Sequence, residues 1–144
     1  SEAPLFVAII LSSGFFSLAH MFNPNASIWS SINIFIAGIL LASPFVFTGR
    51  LGLSIGLHSA WNFVLAGCYG LPVSGLVWDV SIWELEPVGP QWWTGGVFGP
   101  EAGFSAFLAI ILSFFFIFIF LQGSTNQMGV HPKWLNSAKE SEYN

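Results

Sequence analysis

Four long runs of apolar residues, almost free of charge, constrain this chain more than anything else in it. Leu5 to Phe22 is eighteen residues with no fixed charge and a single His, close to the roughly 20 residues at about 1.5 Å each that a bilayer core requires. Asn23-Pro24-Asn25-Ala26-Ser27 supplies turn residues, with Asn25 or Ser27 able to cap a second run over 27–47 that carries Pro44 near its end. After Thr48-Gly49-Arg50 a third run covers 51–71 and closes at Leu71-Pro72. Gly99-Pro100-Glu101 reads as a helix start, with Pro in the first turn and an acid at the positive end of the dipole, and launches a fourth run over 104–121. The expected fold is an all-α membrane protein of about four transmembrane helices, 5–22, 27–47, 51–71 and 104–121, within one domain over 1–122.

Composition agrees. The chain is 54% apolar and 7% charged, where a soluble domain carries about a quarter charged residues, so water is not its main solvent. Arg50, Lys133 and Lys139 are its only fixed cations. That leaves no basic surface for a phosphate backbone and excludes nucleic acid as a partner. The one cysteine, Cys68, has no second thiol for a disulfide or a metal site and reads as packing. Ser1 stands where a Met would begin a chain, and the first run lacks a signal peptide's basic flank; sequence upstream is expected.

Between Pro72 and Gly103 the texture changes. Trp78, Trp83, Trp92 and Trp93, the acids Asp79, Glu84 and Glu86, and frequent Gly and Pro describe a Trp-rich loop at the membrane surface. The tail over 123–144 is polar and expected to be loosely ordered, with His131 on a solvated surface. Four spans put the N-terminus, Arg50 and the tail on one side and the three loop acids on the other. Cations mark the cytoplasmic side, so both termini are expected there, with Arg50 as a topology determinant.

Polar side chains inside the runs are the candidates for function, because a bilayer makes them costly. They are His20, Asn33, His58 and Asn62. His58 and Asn62 are four apart and share one helix face with Ser54 and Leu65. Gly52, Gly56 and Ala60 form a small-residue row on the other side, suited to close approach by another helix. In the first run Ser12, Ser13, Phe16, Ser17 and His20 make a second polar stripe, expected to meet the first. The plainer reading of each is a hydrogen bond to a neighbouring helix, and Asn33, with no i+4 polar partner, is read that way. Glu101 is read as a helix-start acid.

Phe16-Ser17-Leu18-Ala19-His20 spells F-x-x-x-H, and His58-Ser59-Ala60-Trp61-Asn62 spells H-x-x-x-N, in that order and in separate apolar runs. With Ala8 to Ser13, Asn33 to Gly38 and Gly56-Leu57-His58, this stretch resembles the CPBP family of intramembrane proteases over roughly residues 5–75. The family includes the CAAX-prenyl endopeptidases and the Abi or bacteriocin-processing proteins of bacteria. The segment Thr94 to Gly103 is similar to a stretch of some bacterial members. The resemblance implies peptide-bond hydrolysis in or at a membrane, acting on a membrane-embedded peptide or prenylated substrate, with a bacterial inner membrane as the expected location. It implies that His20, together with a glutamate of the family's first motif, helps position and activate the attacking water, and that His58 and Asn62 stabilise the oxyanion. In a metal reading His20 and His58 help hold a divalent ion such as zinc. Histidine suits proton transfer near neutral pH, and donors aimed at developing negative charge count most where water is excluded. Two His and one Asn fall short of a protein zinc site, which takes at least three strong ligands.

The family's first motif, E-E-x-x-x-R, is absent from these 144 residues, and the only acid before His20 is Glu2. Without those glutamates this chain by itself is not expected to be an efficient protease, and two readings follow. In one the chain is the C-terminal, second- and third-motif part of an intramembrane endopeptidase; in the other it is a catalytically inactive CPBP-like subunit of a larger membrane complex, in contact with pigment or quinone. Upright helices add a tension: His20 would lie about 22 Å from the cytoplasmic end of its helix and His58 about 10 Å from its own.

Overall fold

Ser27 sets where the second helix begins. Its hydroxyl accepts the Ser30 N–H, and the Ser30 hydroxyl accepts the Ser27 N–H in return, a reciprocal cap that satisfies two otherwise orphaned donors. The computed structural model describes residues 3–125 and 130–134. Helix α1 covers Ala3–His20 and α2 covers Ile28–Thr48. Helix α3 covers Gly52–Asn62 and continues without a break as a π-helix over Phe63–Cys68. One turn of helix, α4, covers Gln91–Thr94, two 3₁₀ turns follow at Gly96–Phe98 and Pro100–Ala102, and α5 covers Phe104–Thr125. Among the described residues there is no strand, only an isolated bridge between Val73 and Leu76.

The chain is built inside out. Phe115, Phe116, Phe118 and Phe120 are exposed, whereas Ser13 and Ser30 are each 1% exposed. Small polar residues inside and large apolar ones outside is the arrangement that lipid favours and water penalises. Two helices, Ile28–Thr48 and Phe104–Gly123, are long and apolar enough to cross a membrane, and Pro4–His20 is a shorter apolar helix.

Helices α1 and α2 form an antiparallel hairpin whose closeness depends on small residues. A Cβ on Gly38 would stand 3.0 Å from the Ser13 Cα, and the Ser17 hydroxyl donates to Ser31 O at 2.8 Å. The polar stripe of α1, expected to meet α3, is thus divided: Ser13 and Ser17 pack on α2, where a hydroxyl can find a backbone carbonyl and the backbones can approach, while Phe16 meets His58 of α3. Helix α5 runs beside α2 in the same direction: Asn33 meets Glu101 and Gly103, and Leu40 packs with Ile110, Ile117 and Leu121. Leu53 and Leu57 of α3 complete that core. Pro44, fully buried within α2, leaves the Leu40 carbonyl without its amide donor, and the Ser43 hydroxyl donates to it at 2.7 Å.

Two further expectations change. The third run is not one α-helix over 51–71, because six of its residues take the wider π coil, whose end is closed by the loop: Ile82, Trp83 and Leu85 donate their N–H groups to Gly67, Cys68 and Tyr69 O. Gly52 and Gly56 face open space, with nothing within 4 Å of an added Cβ, so no helix among the described residues uses their row. His131, half-buried, is tied back to α2 by its backbone. Its N–H donates to Val46 O, one of the last carbonyls of α2, and Trp134 packs against Phe45 with the rings tilted and their centroids 5.0 Å apart. The rest of the tail, Lys139 included, lies outside the described residues.

Candidate functional site

Phe16 is the meeting point of the two motifs. One helical turn separates it from His20, which places both side chains on one face of α1. Its ring centroid lies 4.5 Å from the His20 ring and 5.5 Å from the His58 ring, edge-on to the latter. The difference in depth that upright helices imply is thus bridged by a side chain, and the two histidines come to share cavity walls.

There are two such walls. An inner cavity of about 110 Å³ is lined by Phe16, His20, Asn33, His58, Trp61 and Glu101 among others. A larger cavity of about 430 Å³, beneath the loop, is lined by His20, Asn23, His58, Asn62, Ser74 and Asp79 among others. His20, His58 and Ser74 belong to both. His20, His58 and Asn62, the residues of the two motifs, therefore border the larger cavity, while Asn33 borders the inner one.

Their hydrogen bonds define what each can do. His20 Nδ1 is 2.6 Å from Phe16 O. A carbonyl only accepts, so Nδ1 carries the proton, and in the neutral ring Nε2 keeps its lone pair for a proton or a water. Asn62 Nδ2 lies 3.4 Å from His58 Nε2, joining the two residues of H-x-x-x-N across one turn. Asn62 Oδ1 is buried and accepts no hydrogen bond from the described residues, an unmet polar capacity at the cavity that carries the histidines.

Glu101, read from the sequence as a helix-start acid, is instead part of this wall. Pro100–Ala102 is a separate 3₁₀ turn ahead of α5. From it Glu101 Oε1 accepts the Trp61 Nε1–H at 3.0 Å, and Oε2 accepts the Ser74 N–H at 2.5 Å and the Ser74 hydroxyl at 2.6 Å. Its backbone carbonyl accepts Asn33 Nδ2 at 2.8 Å. Ser74, buried and held at φ 50, was not singled out by the sequence; nor was Trp61. The available signal was an acid beside an apolar run with no cation near it in sequence.

Among the described residues no group of three or more His, Cys, Asp or Glu side chains is placed to hold a metal ion. Two imidazoles and an amide do not fit zinc's usual requirement, and both Glu101 oxygens are engaged elsewhere.

Apolar helices with exposed aromatic faces, enclosing a cavity between two histidines, define a helical membrane protein with an internal polar site. Residues 2–64 match the family model described as type II CAAX prenyl endopeptidase, Rce1-like, the kind of membrane protease that F-x-x-x-H and H-x-x-x-N resemble. The match includes both motifs, occupies the N-terminal part of the chain and ends two residues past Asn62. No curated protein and no solved structure matches the chain.

Proposed function

We propose that this chain carries the second and third motifs of an intramembrane endopeptidase of CAAX-protease type. The observation that supports the reading is the placement of His20, His58 and Asn62 on one cavity. His20 is the base: with Nδ1–H spent on Phe16 O, Nε2 takes a proton from the attacking water. His58 and Asn62 act from α3, donating to the oxyanion of the tetrahedral intermediate. The substrate is a membrane-embedded or prenylated peptide. The four apolar segments are four spans, the Trp-rich loop lies at the membrane surface, and both termini are cytoplasmic, in a bacterial inner membrane.

The test is cleavage of a farnesylated peptide ending in a C-a-a-X sequence by the purified full chain in lipid nanodiscs. His20→Ala is expected to lower kcat by about 10²- to 10⁴-fold, the usual worth of a positioned acid or base. Cleavage by the wild type that persists unchanged in His20→Ala overturns the assignment.

One observation favours a second reading, a non-catalytic subunit of a larger membrane assembly: the Glu101 carboxylate, the one acid on the inner wall, is already engaged by three donors. That reading expects co-purifying membrane subunits and an assembly indifferent to His58→Ala.

A further inference from the structure

The helices that bear the two motifs need something to hold their spacing, and the loop provides it. Asn23, three residues past His20, donates its N–H to His20 O at 3.1 Å and its side-chain amide to Ser74 O at 2.9 Å. Ser74 in turn donates its N–H and hydroxyl to one oxygen of Glu101, and the other oxygen accepts the indole N–H of Trp61. Trp61 stands inside the third motif, between His58 and Asn62. An unbroken chain of hydrogen bonds thus runs from the His20 end of α1, through Asn23, Ser74 and Glu101, to α3.

We propose that Glu101 is a positioning residue for the site: its carboxylate ties the turn at residues 73–76 to Trp61 and so fixes the spacing of His20 against His58 and Asn62. This rests on the reading of those three as the reacting groups. Glu101 does not act as the base, because its oxygens already receive three donors.

The residue type follows from the partners. Every group that meets the carboxylate is a donor, and a carboxylate is acceptor-only on both oxygens. Short hydrogen bonds to an ionised acceptor are the strong kind, and they offset the cost of holding a charge away from water. A glutamine of the same shape would turn an NH₂ toward either the indole or Ser74 and break one arm. Backbone position is fixed independently, since Asn33 Nδ2 holds Glu101 O and Gly103 O at 2.8 and 3.0 Å. Gly75 fits the same clamp: at φ 79 it lies so close to Pro24 O that no Cβ could be accommodated.

The experiment uses the full chain in lipid nanodiscs, with ¹⁵N-labelled Trp indoles and His imidazoles followed by NMR and the Trp61 signal assigned through Trp61→Phe. Glu101→Gln is expected to move the Trp61 indole signal and the His20 and His58 imidazole signals together, with helix content unchanged by circular dichroism. Ser74→Ala, which removes only a hydroxyl, is expected to move the same imidazole signals by less, and it serves in place of Glu101→Gln if that variant does not fold. Imidazole signals that stay at their wild-type positions while the indole moves overturn the proposal. On the farnesylated peptide, Glu101→Gln is expected to lower kcat by about 10- to 100-fold with KM within about threefold, as for small misplacements of reacting groups. Glu101→Ala is expected to lower it further. A wild type that does not cleave, with imidazoles that still respond, refutes the protease reading alone; a wild type that cleaves, with kcat unchanged in Glu101→Gln, refutes the positioning role alone.

Discussion

Asn33 is 3% exposed and spends both N–H bonds of its amide on two carbonyls, Glu101 O and Gly103 O, just before α5 begins. Carbonyls ahead of a helix in an apolar setting have no water to turn to, so their donor matters more than its chemistry suggests. Asn33→Leu keeps the bulk and removes the donors; it is expected to destabilise the fold by about 1–3 kcal/mol, measured as thermal unfolding in detergent, and an unchanged melting temperature counts against this account. The sequence already pointed to Asn33 as a bond to a neighbouring helix, and His20, His58 and Asn62 stood out as polar groups inside apolar runs whose motifs resemble those of a known family. Glu101 was hidden, because its partners Ser74 and Trp61 lie 27 and 40 positions away. No periodicity reports a contact of that kind, and Gly99-Pro100 in front of the acid gave it a local explanation that was sufficient by itself.

Among the elements, the α1–α2 hairpin and α3 use their small residues in opposite ways. At Gly38 the Ser13 backbone is already in contact range of an added Cβ, while at Gly56 there is open space. Gly38→Val is therefore expected to push the hairpin apart and cost about 1–3 kcal/mol or more. Gly56→Ala is expected to leave stability unchanged or raise it by up to about 1 kcal/mol through helix propensity. Parallel melting curves of the two variants check the pair, and a Gly38→Val protein as stable as the wild type would remove the close approach from the account. The helices themselves were legible to within two or three residues, apart from the ends of the third and fourth runs, because unbroken apolar stretches bounded by Asn, Pro and Gly leave few alternatives. The π coil at Phe63–Cys68 was not. An apolar run has the same composition whether its turns are tight or wide, and what closes this one is a set of N–H groups from Ile82, Trp83 and Leu85, some fifteen residues on in the chain.

On the scale of the whole molecule, the ends of the helices sort into two groups. The turn at 21–27, the loop at 72–103 and the start of α5 meet through Asn23, Ser74 and Asn33, while His131 and Trp134 return to the other end of α2 beside Gly49. With Cys68 replaced by Ala, Arg50→Cys and Ser81→Cys, made one at a time, are expected to react with a membrane-impermeant thiol reagent from opposite faces of sealed vesicles. Labelling from the same face would rule out the four-span arrangement. The loop's function as a brace was not readable from its composition, since that depends on which end of the bundle it folds over. The brace also has a consequence in time. During synthesis His20, His58 and Asn62 are all made before residue 101 exists, yet the inner wall beside them is closed by Glu101 and held by Asn33 across 68 positions. A ribosome delivers the chain from its N-terminus, so the site cannot take its final shape until the start of the last helix has emerged and folded back.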